Sequence, residues 1–313
     1  MLILVRRQLL RHNSGVYSPS GAYHRIPRQE TKLFRIPLTQ FAAACLWCCL
    51  LLTPVDVMAA AKPAVQTVYY GGNQRQDYYV ELLQLALSYP GNHDYQLKAS
   101  GLHLPKQRAF DLMNAHGGID VLFGSVSQER LRQYRGIPFS ILKGYNGWRV
   151  ALIHRQTPDI LRGIHSKQHL SRLTAGQFLT WSDTQILRRN GLKVDTSTDG
   201  NGLYGMLERG RIDYFPLSVL EVAYELSIHQ NPQLMIDPHL LIIYPSATWF
   251  YVAKDNKALA DVLLQGLQQA EQDGSFDKLF QRYFGDALQQ LQLEKRTRIM
   301  LENPLLPAQV KIK

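Results

Sequence analysis

The chain has 313 residues, 45% of them apolar, with 35 Lys and Arg against 25 Asp and Glu for a formal charge of +10. More than half of that charge sits early: residues 1–40 carry +6, whereas the 252 residues from Lys62 onward carry +5 and hold no Lys/Arg-rich run. This argues against a nucleic-acid partner and leaves enough apolar sequence for one domain or two lobes with real cores.

In chain order, residues 1–31 come first; they are polar, basic and without period, and make a longer lead than an export signal needs. Two readings stay open for them, a translation start nearer Leu33 or a disordered leader. Residues 41–52 form an apolar run of 12, preceded by Lys32 and Arg35 and followed by Ala59-Ala60-Ala61. A basic flank, a short apolar block and small residues at −3 and −1 of a cut are the pattern of a secretory signal peptide. A membrane-spanning helix needs about 20 apolar residues, and Pro54 and Asp56 end this run sooner. The chain is therefore expected to be exported to the periplasm and cleaved near Ala61, with a mature form that does not span the membrane. All three cysteines, Cys45, Cys48 and Cys49, lie in the apolar block. They are expected to leave with it, so the C-x-x-C spacing of Cys45 and Cys48 is not read as a redox pair. Cys45 opens the block instead of following it, which argues against a lipid anchor.

Beyond the signal, residues 65–70 read as a strand, Asp77–Leu87 as a helix, Tyr95–Ala99 as a strand and 106–115 as a helix. A strand at 121–124 follows the turn at Gly117-Gly118, and 149–153 is another. Ser182-x-x-Gln185 has the spacing of a capping box opening a helix to Asn190. Residues 201–209 and 217–228 read as helices around Tyr214 and Phe215, then 240–244 and Thr248–Val252 as strands about Pro245-Ser246. Leu259, Val262, Leu263, Gly266, Leu267 and Ala270 recur on one helical face. Repeated βα units of this kind predict an α/β protein with mostly parallel sheets.

Three stretches carry a family likeness: GGIDVLFGSVSQER (117–130), LERGRIDYFPLSVLEVAYEL (207–226) and WFYVAKDN with EQDGSFDKLFQRYFG (within 249–285). In this order and spacing the chain resembles extracellular solute-binding proteins of family 3, the periplasmic receptors of amino-acid transport type. IPFSILKGYNGWRVALI, the WSDTQILRRNG block and the RIMLENPLLP tail resemble a divergent offshoot usually labelled only as transporter-type substrate-binding. The resemblance implies a two-lobed, periplasmic-binding-protein-like (type II) α/β fold, each lobe a mixed, mostly parallel sheet flanked by helices. Residues 62–150 and 249–290 would form lobe one, 151–248 lobe two and 291–313 a C-terminal tail. The crossings would fall near 150–153 and 244–248.

The resemblance also implies a ligand site. Arg130 follows Ser125 and Ser127 just after a strand, where the family places hydroxyls and an arginine on a ligand carboxylate. A guanidinium fork suits that role, with a solvated surface arginine as the alternative. Ser182, Asp183 and Thr184 open a helix whose free N–H groups could bind an anion or serve only as a cap. Asp213 matches a family signature of structural kind. Four residues later, where amino-acid receptors carry the aspartate for the ligand ammonium, stands Leu217. Glu221 could substitute only if its helix turns it inward. Trp249, Tyr70, Tyr69 and Trp181 could floor the cleft with aromatic faces, or belong to the core.

Two patterns are set aside. Gly200-Asn-Gly-Leu-Tyr-Gly205 is G-x-G-x-x-G, but a polar stretch precedes it where a dinucleotide site needs a buried strand. His165 and His169 have i,i+4 spacing without a third metal ligand. No cofactor and no metal is expected. The reading is a monomeric, non-enzymatic periplasmic receptor closing on a small, polar, carboxylate-bearing solute for an ABC-type permease. Its alternatives are a sensory component reporting to a membrane protein and an enzyme on the same fold.

Overall fold

The structure, a computed structural model, describes residues 65–71, 77–89, 91 and 95–310. The leader, the signal-peptide segment with its cysteines and the cut near Ala61 lie outside the described residues. Among the described residues no helix is long and apolar enough to cross a membrane.

Strands β1 (Gln66–Tyr70) and β2 (Tyr95–Ala99) pair in parallel, joined through helix α1 (Asp77–Leu87). A parallel bridge from Tyr70 to Val121 brings in β3 (Leu122–Ser125). Antiparallel to it runs β11 (Thr248–Val252), from the far end of the chain, which takes β4 (Arg135–Gly136) on its other side. Side chains alternate across this sheet. Val68, Val121, Phe250 and Val252 face a core closed by α1, α8 (Lys257–Gln272) and α9 (Ser275–Gln290). Leu122, Trp249 and Tyr251 face a second core with Phe110 and Met113 of α2 (Lys106–Asn114). Gly266 lets α8 lie directly on α1, since a Cβ there would stand 1.9 Å from the Ala86 carbonyl oxygen.

Lobe two is built around β5 (Trp148–His154), antiparallel to β8 (Phe215–Ser218), β9 (Leu234–Ile236) and β10 (Leu240–Ile243). Parallel β6 (Thr174–Phe178) and β7 (Lys193–Ser197) join β8 through a bridge from Ala175 to Tyr214. Val150, Leu152, Phe215 and Leu217 pack on one face with Leu203, Tyr204 and Leu207 of α6 (Gly200–Glu208) and Val222 of α7 (Val222–His229). Ala151, Ile153 and Tyr214 pack on the other with Leu170 of α4 (Lys167–Leu170) and Ile186 and Leu187 of α5 (Ser182–Arg189). The two lobes use one device: Asp120 accepts the Tyr69 amide at 2.7 Å, and Asp213 accepts the Thr174 amide at 2.7 Å. Each aspartate thus pins the strand beside its own, a structural role for Asp213.

The cores exchange the chain between Leu142 and Trp148, between Ile243 and Thr248, and again after α9, where Leu288 packs on both cores and Leu291 enters that of lobe two. At the first crossing Gly147 passes so close that a Cβ would stand 2.0 Å from the Tyr244 carbonyl oxygen. Tyr145, Leu220 and Leu288 pack against both cores. The architecture is the two-lobed α/β fold expected, with each sheet mixed and the antiparallel pairs gathered about β5 and β11.

Local readings change in three places. The helix expected over 217–228 begins only at Val222, because Phe215–Ser218 is drawn into the sheet as β8, buried throughout. Tertiary burial there overrides helical spacing. The polar stretch before Gly200 is a strand, β7, on the sheet edge with alternating exposure, and Asp199 caps α6 by accepting the Asn201 amide. Within the expected tail, Thr297–Met300 is a strand, β12, paired in parallel with β10.

Candidate functional site

The expected site residues lie at the end of β3 in lobe one and at the start of α5 in lobe two, and Lys106 at the start of α2 acts electrostatically on Glu221 after β8. Ser125 ends β3, and Ser127 caps the short helix α3 (Gln128–Gln133) by accepting the Arg130 amide at 3.2 Å. Arg130 folds back over its own strand: its guanidinium donates to the Ser125 carbonyl and lies 4.8 Å from the Phe110 ring centre and 5.9 Å from that of Tyr251. These three residues are thus brought together and half-buried. Tyr70 ends β1, half-buried against the lobe-one core, and Tyr69 beside it is exposed.

On the other wall, Ser182 is the first residue of α5 and Trp181 its cap, with no side-chain capping bond. The capping box is therefore not formed. The Thr184 hydroxyl instead donates to the Phe178 carbonyl at 2.8 Å. Asp183 is buried and ion-paired with Arg149 at 2.5 Å, while Arg149 Nε donates to the Tyr244 hydroxyl at 2.7 Å and that hydroxyl donates to Asp183. Burial alone would lower the Arg149 pKa, but Asp183, Tyr244 and Glu221 outweigh it and hold the guanidinium firmly charged. The negative end of this pair is internal, so the helix start already carries its own carboxylate.

Glu221 is exposed at the cap of α7. It follows β8 through the Ser218–Leu220 turn, with its amide on the Ser218 carbonyl at 2.9 Å. Its carboxylate acts on Lys106 and Tyr79 of lobe one as well as on Arg149 and Asp183 of lobe two. Its surface reaches water, yet protein crowds it from both walls; that crowding, together with Asp183 and Glu225, raises its pKa against the pull of Arg149 and Lys106. Lys106 opens α2 with its ammonium 5.0 Å from the Phe123 ring centre, and Phe123 stacks on Tyr79 at 3.6 Å. Although Lys106 is exposed overall, crowding of its ammonium, and then the nearby Arg130 charge, lower its pKa to about 8 against the opposing effect of Glu221.

Leu217, where the family carries an aspartate, and the expected Trp249 lie elsewhere. Leu217 points into the lobe-two core, 2% exposed, so that position cannot meet a ligand. Trp249 packs in the lobe-one core and lines a groove of about 530 Å³ with Phe139, Phe276 and Val310. The sequence reading missed Lys106, Arg149, Tyr244 and the Tyr79–Phe123 stack. A signal existed for two of them: Arg149 sits inside an apolar strand and Tyr244 ends another, and a polar group so placed needs a buried partner. Among the described residues no group of three metal-ligating side chains occurs.

No protein-family model matches the chain, and no curated protein resembles it significantly. Solved structures do. The probable amino-acid ABC transporter extracellular-binding protein YtmK from Bacillus subtilis aligns over 71% of this chain and 99% of its own, at 17% identity and a TM-score of 0.57. A protein of the glutathione import route through GshT and the cystine ABC importer TcyBC of Streptococcus mutans aligns over 70% and 95%, at 15% identity and 0.52. The ancestral amino acid-binding protein AncCDT-1, a precursor of cyclohexadienyl dehydratase, aligns over 70% and 95%, at 13% and 0.50. The chain has the fold of these two-lobed binding proteins.

Proposed function

We propose that this chain is an exported solute receptor, a divergent relative of the family 3 binding proteins, delivering a small carboxylate-bearing ligand to an ABC-type permease. The carrying observation is that Lys106, beside Arg130 on lobe one, interacts with Glu221 on lobe two. A ligand with an anionic and a cationic end would satisfy both walls only when the lobes close, which is how binding selects the closed form. The acid lost at Leu217 is supplied by Glu221. The Tyr79–Phe123 stack offers an aromatic face beside it.

The test begins with a thermal-shift screen of the protein against the twenty amino acids and small dicarboxylates, followed by calorimetry on each hit. Arg130→Ala and Lys106→Met should each weaken binding, Arg130→Ala by about 2–5 kcal/mol if its charge contacts the ligand in the closed site. Glu221→Gln should weaken an amino acid but spare its deaminated analogue. Equal loss for both compounds, or none with Arg130→Ala, would overturn the assignment of the two walls.

A second reading, an enzyme, is favoured by one observation: Glu221 and Lys106 share the cleft with pKa values displaced toward each other, as acid–base pairs are. AncCDT-1, a precursor of cyclohexadienyl dehydratase, links this fold to a dehydratase. Turnover of a binding hit, lost in Glu221→Gln, would establish that reading.

A further inference from the structure

After β12 the chain runs back toward lobe one as a fourth connection between the lobes. Arg296 fixes its start, donating to the Leu291 carbonyl at 2.8 Å and the Leu240 carbonyl at 3.2 Å. The Leu301 amide then bonds Ile243. Asn190 grips Glu302 from both sides, its carboxamide donating to the Glu302 carbonyl at 2.8 Å and accepting the Glu302 amide at 3.0 Å. Asn303 donates to the carbonyl of Pro245, in the hinge itself, at 2.8 Å. The next two leucines part company: Leu305 packs on the lobe-two core, Leu306 on the lobe-one core. Val310 packs there too and lines the groove beside Trp249.

We propose that residues 301–310 are a strap that limits how far the lobes can open. Glu302 is held on lobe two and Leu306 on lobe one, with three residues and so four Cα–Cα steps between the anchors, and the strap therefore spans at most about 14 Å when fully extended. Wider opening requires one anchor to let go. The strap also reaches the cleft mechanically. Asn190 is the C-cap of α5, and the first turn of that short rigid helix carries Ser182, Asp183 and Thr184. Motion of that wall therefore pulls on the strap through a single helix, whatever the cleft binds.

The test is double electron–electron resonance on the full chain, with Cys45, Cys48 and Cys49 replaced by serine and spin labels at exposed Arg108 on lobe one and Lys193 on lobe two. Leu306→Ser with Val310→Ser frees the lobe-one end, and Asn190→Ala frees the lobe-two end. Hydrogen exchange at the Val310 amide in the first variant, and the Glu302 amide in the second, should rise at least about tenfold, showing release. Each release should broaden the interlobe distances toward longer values by roughly 5 Å or more, the scale of domain opening. The two variants should agree, although they act on opposite lobes. If exchange shows a freed strap while the distances match those of the parent protein, the strap does not limit opening and the proposal fails. Should either variant unfold, the other decides by the same comparison.

Discussion

Asp183→Ala is the sharpest perturbation this fold offers, because it strands a charge. Arg149 is 5% exposed and Asp183 8%, and the pair is completed by the Tyr244 hydroxyl, itself on a residue 2% exposed. Removing one partner of a buried ion pair costs about 3–5 kcal/mol, since the remaining charge keeps its desolvation penalty and loses its compensation. With a urea slope of roughly 2 kcal/mol/M, the midpoint should fall by about 1.5–2.5 M, a large share of the ~5–15 kcal/mol a domain holds. Denaturation followed by tryptophan fluorescence measures it. The control replaces the whole set by apolar residues, Arg149→Met with Asp183→Leu and Tyr244→Phe, and should lie within about 2 kcal/mol of the parent or above it. Formate should stabilise Asp183→Ala more than the parent by occupying the vacated carboxylate position. A loss below about 1 kcal/mol in Asp183→Ala would mean that water reaches the pair, and the reasoning would be wrong.

Three further outcomes are expected. Lys106 has a folded pKa of about 8, below the ~10.4 of a free lysine; between those values the folded state binds fewer protons than the unfolded one, so stability should rise with pH across about 8–10.4. Lys106→Met should flatten that rise in thermal melts, and an unchanged slope would contradict the crowding of the ammonium. Gly266→Ala drives a Cβ into the Ala86 carbonyl and should cost on the order of 1–3 kcal/mol, or more, by overpacking; a neutral effect would mean that α8 does not press on α1. Gly147→Ala sets a Cβ against Tyr244 at the hinge, and should shift the interlobe distances as well as lower the midpoint, whereas a purely thermal effect would exclude a hinge role.

What could be read in advance followed from how local the signal was. The apolar face of 257–272 repeats at helical spacing, so α8 was evident from its own residues. The strands 66–70 and 248–252 were as plain, being short apolar runs between turn signals. Phe215–Ser218 was not, because Leu217, Leu220 and Val222 also fit a helix; only pairing with β5 on one side and burial on both faces make it a strand. β12 was hidden for a similar reason, as its alternation is brief and its partner β10 lies far back in the chain. Arg130 was found through likeness to a family motif, and its neighbours Ser125 and Ser127 came with it. Lys106 and Glu221 could not be paired from the sequence, since nothing but the placement of the two lobes brings them to one cleft.

The division of labour among the cleft cations follows from what each already touches. Arg149 is buried and bound to Asp183 and Tyr244, so it shapes α5 and is withdrawn from a solute. Arg130 gives one nitrogen to Ser125 and rests on two aromatic rings, which fixes its plane but leaves other N–H groups of a five-donor fork to offer. Lys106 rests on Phe123 alone, with no hydrogen-bond or ion-pair partner among the described residues. An ammonium whose pKa is lowered to about 8 gains when an anion arrives, because the anion favours its charged form. Binding near pH 8 should therefore draw in a proton at Lys106. Discrimination among carboxylates then rests on the Lys106–Glu221 interaction, with Arg130 as the constant anchor beneath it.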